Sequence, residues 1–124
     1  MRIFYRDDVI NFIDDNNVIV GFDYYSLCCE SYGVDIMTKP TSSDEDVICS
    51  ADDAKAIGVL SGYYFDTTYF SEEGLGEDYE YAFFRLLHKE KPPLYLQLYN
   101  IHNGYYAHGF DAFVDGKVWV EGRI

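Results

Sequence analysis

Basic residues are scarce in this chain. Nine Lys and Arg stand against 22 Asp and Glu, giving a formal charge of −13 at pH 7. Phosphate contacts need clustered Lys and Arg, so direct binding to nucleic acid is not expected. An anionic membrane surface would repel the chain for the same reason. Cysteine is also sparse, at positions 28, 29 and 49 only. An odd count with two adjacent residues makes a poor disulfide framework and points to reduced thiols. Long apolar runs are missing, and none approaches the ~20 residues that span a bilayer. The opening Met1-Arg2-Ile3-Phe4-Tyr5-Arg6-Asp7-Asp8 runs into acids without the apolar segment of a signal peptide. A cytoplasmic protein is the expectation. No Gly-rich phosphate loop, Walker motif or dinucleotide fingerprint occurs, and no cofactor is expected.

What the chain has in excess is aromatic residues. Thirteen Tyr and nine Phe outnumber what an ordinary core requires. Both favour strands, where a ring packs across a pleated surface. The 124 residues form a single domain in this reading, 1–124, large enough to bury its own core.

The pattern agrees with the composition. Val9-Ile10-Asn11-Phe12-Ile13 and Val18-Ile19-Val20-Gly21-Phe22 are strand-like runs joined by Asp14-Asp15-Asn16-Asn17, residues suited to a turn. Tyr24 to Tyr32 follows the second run, and Gly33 and Asp35 are expected to break it. The segment Thr38–Asp46, with Pro40 and an acidic end, reads as a loop. Ser50 to Gly58 is the best helix: Ser50 can cap it, Asp52 and Asp53 suit its first turn, and Gly58 ends it. Between Asp66 and Glu80 there are six acids and no base, which reads as a negatively charged loop. Tyr81 to His88 is preferred as a strand, stopped by Pro92-Pro93. Leu94, Leu96 and Leu98 alternate with Tyr95, Gln97 and Tyr99, a period of two with leucines on the core face. Asn103-Gly104 then supplies a tight hairpin turn, and Asp115-Gly116 another, closing a three-stranded C-terminal meander. The expected fold is β-rich α+β: one antiparallel curled sheet of hairpins plus this meander, with one short helix.

Cys28-Cys29-Glu30-Ser31, followed at a distance by Asn103-Gly104-Tyr105-Tyr106, resembles the pattern of a phage- and prophage-associated family of small proteins of unknown function. Asp35-Ile36 and Ala56-Ile57-Gly58 fall where similar residues occur in that family. The chain departs from it over residues 61–80 and in carrying His102. The resemblance implies a phage or mobile-element context, and it brings no activity with it.

Three constellations bear on chemistry. Cys28, Cys29, His102 and His108 are zinc-type ligands, but adjacent strand residues point to opposite faces and cannot easily meet one ion. Packing of one thiol in the core explains the pair more simply, and no metal site is expected. Cys29 with His102 or His108 and Asp111 has the residue types of a thiol nucleophile, without the local signature of a Cys hydrolase. The third is the turn itself, where His102, Asn103, Tyr105, Tyr106 and His108 gather aromatic and polar groups suited to a protein partner. Turn geometry alone also accounts for the Asn-Gly. With Cys29, Glu30 and the acids Glu72, Glu73, Glu77 and Asp78, these form the candidate binding residues.

The functional expectation is a non-enzymatic acidic binding protein of phage or prophage origin. In its most concrete form it inhibits a basic host protein, such as a defence nuclease or a nucleic-acid-binding factor, with the acidic segments Asp44–Asp46 and Asp66–Glu80 imitating phosphate charge. A small-ligand-sequestering protein with a Tyr-lined pocket and a Cys/His thiol or metal enzyme are the alternatives. A basic protein is a better-matched partner than a small molecule, and a homodimer is compatible with the many tyrosines and an exposed edge strand.

Overall fold

The computed structural model describes residues 1–24, 31–74, 79–101 and 107–124. Among them run ten strands: β1 (Arg2–Arg6), β2 (Val9–Ile13), β3 (Val18–Asp23), β4 (Ser31–Met37), β5 (Val47–Ser50), β6 (Tyr64–Gly74), β7 (Tyr79–Leu87), β8 (Leu94–Ile101), β9 (Gly109–Val114) and β10 (Lys117–Arg123). One short helix, α1 (Ala51–Ile57), and a 3-10 turn at Asp44–Asp46 complete the set. No helix among the described residues is long and apolar enough to cross a membrane.

The β-rich character, the short helix and the opening β2–β3 hairpin are as expected, but the single curled sheet is not. The strands divide into two five-stranded antiparallel sheets, the first in the order β1-β2-β3-β9-β10 and the second β5-β4-β8-β7-β6. Of the C-terminal meander, the hairpin turning at Asp115-Gly116 holds, as β9 paired with β10, and the β8–β9 half is overturned. β8 pairs with β4 and β7, whereas β9 pairs with β3 and β10, so the chain changes sheets between residues 101 and 109. The expected hairpin at Asn103-Gly104 would have joined β8 to β9; the turn itself lies outside the described residues. Both sheets have an apolar face, and packing those faces on each other buries both at once.

The core confirms that arrangement. Ile10, Phe12, Val20, Phe22, Phe110 and Ala112 of the first sheet join Val34, Ile36, Ala82, Phe84, Leu96 and Leu98 of the second in one buried cluster. Phe84 is its hub. Its ring stands 6.1 Å from Phe65 and 5.1 Å from Phe70 within its own sheet, and 6.4 Å from Phe110 and 5.6 Å from Trp119 across the interface. The leucine face of β8 lies where alternation put it, with Leu94, Leu96 and Leu98 all buried.

Asp14 ties the two sheets together at one end. It is 5 % exposed. Its Oδ1 accepts the N–H groups of Asn16 and Val18, both at 2.9 Å, closing the β2–β3 turn. Its Oδ2 accepts the N–H of Phe65 at 2.8 Å, at the start of β6 in the other sheet.

Helix α1 follows its sequence signals. Ser50 accepts the Asp53 N–H at 3.2 Å, and Gly58 caps the other end with φ 69°. Two other expectations need correction. Gly33 and Asp35 do not break the chain but lie inside β4, paired with Tyr99 and Gln97 of β8. Most of the acidic segment after Asp66 is not a loop: β6 runs to Gly74. An edge strand tolerates such charges because its outer groups stay in water, and Glu72 and Glu73 are indeed exposed. Residues 2–6 and 47–50 form the strands β1 and β5.

Candidate functional site

The outward face of the second sheet carries a cross-strand row of Gly33 (β4), Tyr99 (β8), Tyr81 (β7) and Glu73 (β6), each paired with the next in register. Strand alternation puts them there, since their neighbours Val34, Leu98 and Ala82 face the core. Tyr99 folds over Gly33. A β-carbon at Gly33 would sit 2.7 Å from the Tyr99 phenol oxygen, so the absence of a side chain makes room for the ring.

The chain between β4 and β5 folds back over this face. Ser43 caps the 3-10 turn by accepting the Glu45 N–H at 3.3 Å, and Thr38 donates its N–H to Asp46 at 2.8 Å. Ser42 and Asp44 thereby line a cleft of about 190 Å³ with Ser31, Asp35, Tyr81 and Tyr99. Gln97 lies in its floor, 3 % exposed.

The cleft is electrostatically negative. Burial raises the Asp35 carboxyl above its usual range, and Asp44 adds to the effect. The Tyr99 phenol is raised by burial first, then by Asp35, Tyr24 and Asp44. Tyr81 is raised by burial, then by Tyr79, Asp44 and Glu73. Two acids far apart in sequence, Asp44 of the 3-10 turn and Glu73 near the end of β6, thus come together at one tyrosine. Asp66 is different. The Thr68 hydroxyl, the Thr68 N–H and Arg85 hold its carboxyl below the usual range, and Arg85 Nε lies 3.0 Å from it. The same guanidinium sits 4.3 Å from the centre of the Tyr69 ring, so this pair is already satisfied.

A raised carboxyl pKa means that the folded state disfavours the ionised form. At neutral pH, where Asp35 is ionised in both folded and unfolded chains, that cost is fully present. It disappears once the pH falls below the ordinary carboxylate value of about 4. Asp35→Asn is therefore expected to raise the melting temperature at pH 7, and the gain over wild type is expected to vanish by about pH 3.5. Thermal unfolding of both chains across this range checks the sign.

Of the candidates chosen from sequence, Cys29, Glu30, Glu77, Asp78, His102, Asn103, Tyr105 and Tyr106 lie outside the described residues, as does Cys28. The strand ends from which the chain departs toward them are nonetheless neighbours. Ser31 and Tyr79 are both register partners of Ile101. Glu72 and Glu73 are exposed near the end of β6, beside that same sheet end. His108 is placed elsewhere. It is fully buried, stacked on Tyr32 at 4.2 Å, and its Nδ1–H donates to the Asp23 carbonyl oxygen at 2.8 Å. Asp111, considered with it for thiol chemistry, is exposed on the outward face of the first sheet. Among the described residues no group of three or more His, Cys, Asp or Glu is arranged to hold a metal ion.

Sequence reading missed Asp35, Asp44, Tyr81 and Tyr99 as one site. The alternation of Tyr95, Gln97 and Tyr99 with leucines marked the outward side of β8, and Tyr81–His88 was expected as the strand that is now β7, but that β7 and β4 flank β8 was not legible.

A larger opening, about 710 Å³, lies at the opposite end of the sandwich between Asp15, Asn16, Tyr63, Tyr64, His88 and Lys89. His88 Nδ1 accepts the N–H groups of Glu90 and Lys91 at 3.0 and 3.2 Å, which places the proton of the neutral ring on Nε2. That nitrogen faces Gly62, where φ is 79° and a β-carbon would lie 2.7 Å away. No protein-family model matches the chain, and no curated protein or solved structure matches it.

Proposed function

We propose that this chain is a non-enzymatic acidic binding protein of phage or prophage origin. Its partner is a basic host protein, a defence nuclease or nucleic-acid-binding factor, engaged at the acidic, tyrosine-bearing face of the second sheet. The observation that carries this reading is that Glu73 is the register partner of Tyr81 while Asp44 lines the same cleft as Tyr81 from the other side. Glu73 is held on a strand and Asp44 in a capped 3-10 turn, so both carboxylates are preorganised and little ordering cost is added on binding. Tyr79, 44 % exposed beside them, supplies a large contact surface with few rotors to freeze. The phage context rests on the Cys-Cys-Glu-Ser and Asn-Gly-Tyr-Tyr resemblance. A −13 chain meeting a positive groove is steered by long-range attraction, which salt screens.

Titration of a panel of purified basic nucleases at about 50 and about 500 mM salt tests this. Binding that weakens at least about tenfold at high salt, and again in a Glu73→Lys, Asp44→Lys double variant, is expected. Salt-independent binding, or none across the panel, rejects the reading.

A small-ligand-binding role has one observation in its favour, the opening floored by Tyr63, Tyr64 and His88. It falls within the size range of small-molecule sites.

A further inference from the structure

The side chain of Gln97 is buried in the second sheet without a hydrogen bond. It is 3 % exposed, yet nothing among the described residues donates to its amide oxygen or accepts from its NH₂. A buried amide in that state costs free energy, and native proteins keep few of them. The amide lies in the floor of the cleft, with Asp35, Asp44, Tyr81 and Tyr99 around it. Asp35 is its direct register partner on the outward face. That carboxylate also has no hydrogen bond and no ion pair among the described residues. Together the two side chains present a carboxylate and an amide oxygen to one small opening.

The same face shows what such a set holds. Arg85 and Tyr81 both lie on the outward side of β7, by strand alternation. The Arg85 guanidinium donates to the Asp66 carboxylate at 3.0 Å and sits 4.3 Å from the centre of the Tyr69 ring. A carboxylate and a phenol ring thus hold an arginine there. In the cleft the carboxylate is Asp35 and the rings are those of Tyr81 and Tyr99, and no Lys or Arg lines it.

Size and chemistry narrow the ligand. At about 190 Å³ the cleft is smaller than the ~300–1,000 Å³ of small-molecule sites, and it suits one side chain. A guanidinium fits the acceptors better than an ammonium does. Its planar fork can give parallel N–H bonds to a carboxylate, another to the amide oxygen, and lie flat against a phenol ring. It is also more weakly hydrated, so it loses less on leaving water.

We propose that this cleft takes the side chain of a single arginine from the partner, with Asp35 and the Gln97 amide oxygen as its acceptors. This rests on the reading that the partner is a basic protein, and it names the group inserted and the place. Burial disfavours the ionised Asp35 carboxyl, and an arriving cation relieves that cost.

The test titrates N-acetyl-argininamide and N-acetyl-lysinamide, each carrying one positive charge, into the isotope-labelled full chain and follows it by heteronuclear NMR. A saturable shift of the Gln97 side-chain amide is expected with the arginine compound, at millimolar concentration. The lysine compound is expected to bind at least about threefold more weakly. Asp35→Asn is expected to weaken arginine binding at least about fivefold, and so is Gln97→Leu, read from the Tyr99 main-chain amide. Asp8→Asn removes the same charge from the turn between β1 and β2, and as the control it changes affinity less than about twofold. Equal binding of the two compounds, or a loss in Asp8→Asn as large as in Asp35→Asn, means attraction by net charge alone and overturns the proposal. The absence of a saturable shift at Gln97 overturns it too, leaving water as the partner of the amide. The nuclease panel is judged separately. A nuclease whose salt-dependent binding survives Asp35→Asn and Gln97→Leu unchanged keeps the basic partner and overturns the arginine cleft. Arginine binding at Gln97 with no nuclease bound upholds the cleft and rejects a nuclease as the partner.

Discussion

Replacing Asp14 by Ala is expected to remove about 3–5 kcal/mol of stability, a large part of the ~5–15 kcal/mol of a typical domain. The carboxylate accepts three main-chain N–H groups, and those of Val18 and Phe65 are buried. Hydrogen bonds to a charged acceptor contribute roughly 1.5–3 kcal/mol each, and a donor stranded away from water costs a further ~1–3 kcal/mol. Losses within one network are not additive, so the total falls below the sum. Asp14→Asn separates the parts. Its amide oxygen can still serve Asn16 and Val18, while its NH₂ would face the Phe65 N–H, so a loss of about 1.5–3 kcal/mol is expected. Urea midpoints at constant m-value measure both. A loss below about 1 kcal/mol for Asp14→Ala would mean that the two sheets are not joined through this carboxylate.

Phe84→Ala is expected to cost about as much, 3–5 kcal/mol, by a different route. The ring is fully buried and meets aromatic neighbours in both sheets. Its removal leaves a cavity between rigid layers that can close only partly. Phe84→Leu, which refills most of the volume, should lose less than about half of that. Equilibrium unfolding of the three chains supplies the comparison. If the Ala variant lost no more than the Leu variant, the packing of Phe84 between the sheets would be refuted.

Local chemistry was readable wherever it acts over a few residues. The Ser50 and Gly58 caps, the Asp14–Asn17 turn and the leucine alternation of β8 are each decided by neighbours in sequence, and each lies where the residues indicated. The partition into two sheets was not readable. Nothing in the run from Leu94 to Val114 distinguishes a hairpin from a crossing between layers, because both need alternating strands and a break between them. β6 was hidden by its acids, which resemble a loop until an edge position explains them. The site suffered more than the fold. Glu72 and Glu73 were legible as charge, but the meeting of Glu73 with Asp44 at Tyr81 depends on pairings between distant strands. His108 was chosen for its place beside an Asn-Gly turn, a neighbourhood in sequence that does not separate surface from core.

The strand order of the first sheet also bears on how the protein is made. β1, β2 and β3 leave the ribosome well before β9, yet β3 finds its second neighbour only in that late strand. Until then β3 presents an open edge, and its apolar face has nothing to rest on but an incomplete second layer. Contacts of such long span form slowly, because the loop must close before any pairing compensates it. The nascent N-terminal strands therefore wait through synthesis of the entire second sheet. The acids clustered at their turns, Asp7, Asp8 and Asp15, keep the ends of the waiting strands charged, which adds to their solubility meanwhile.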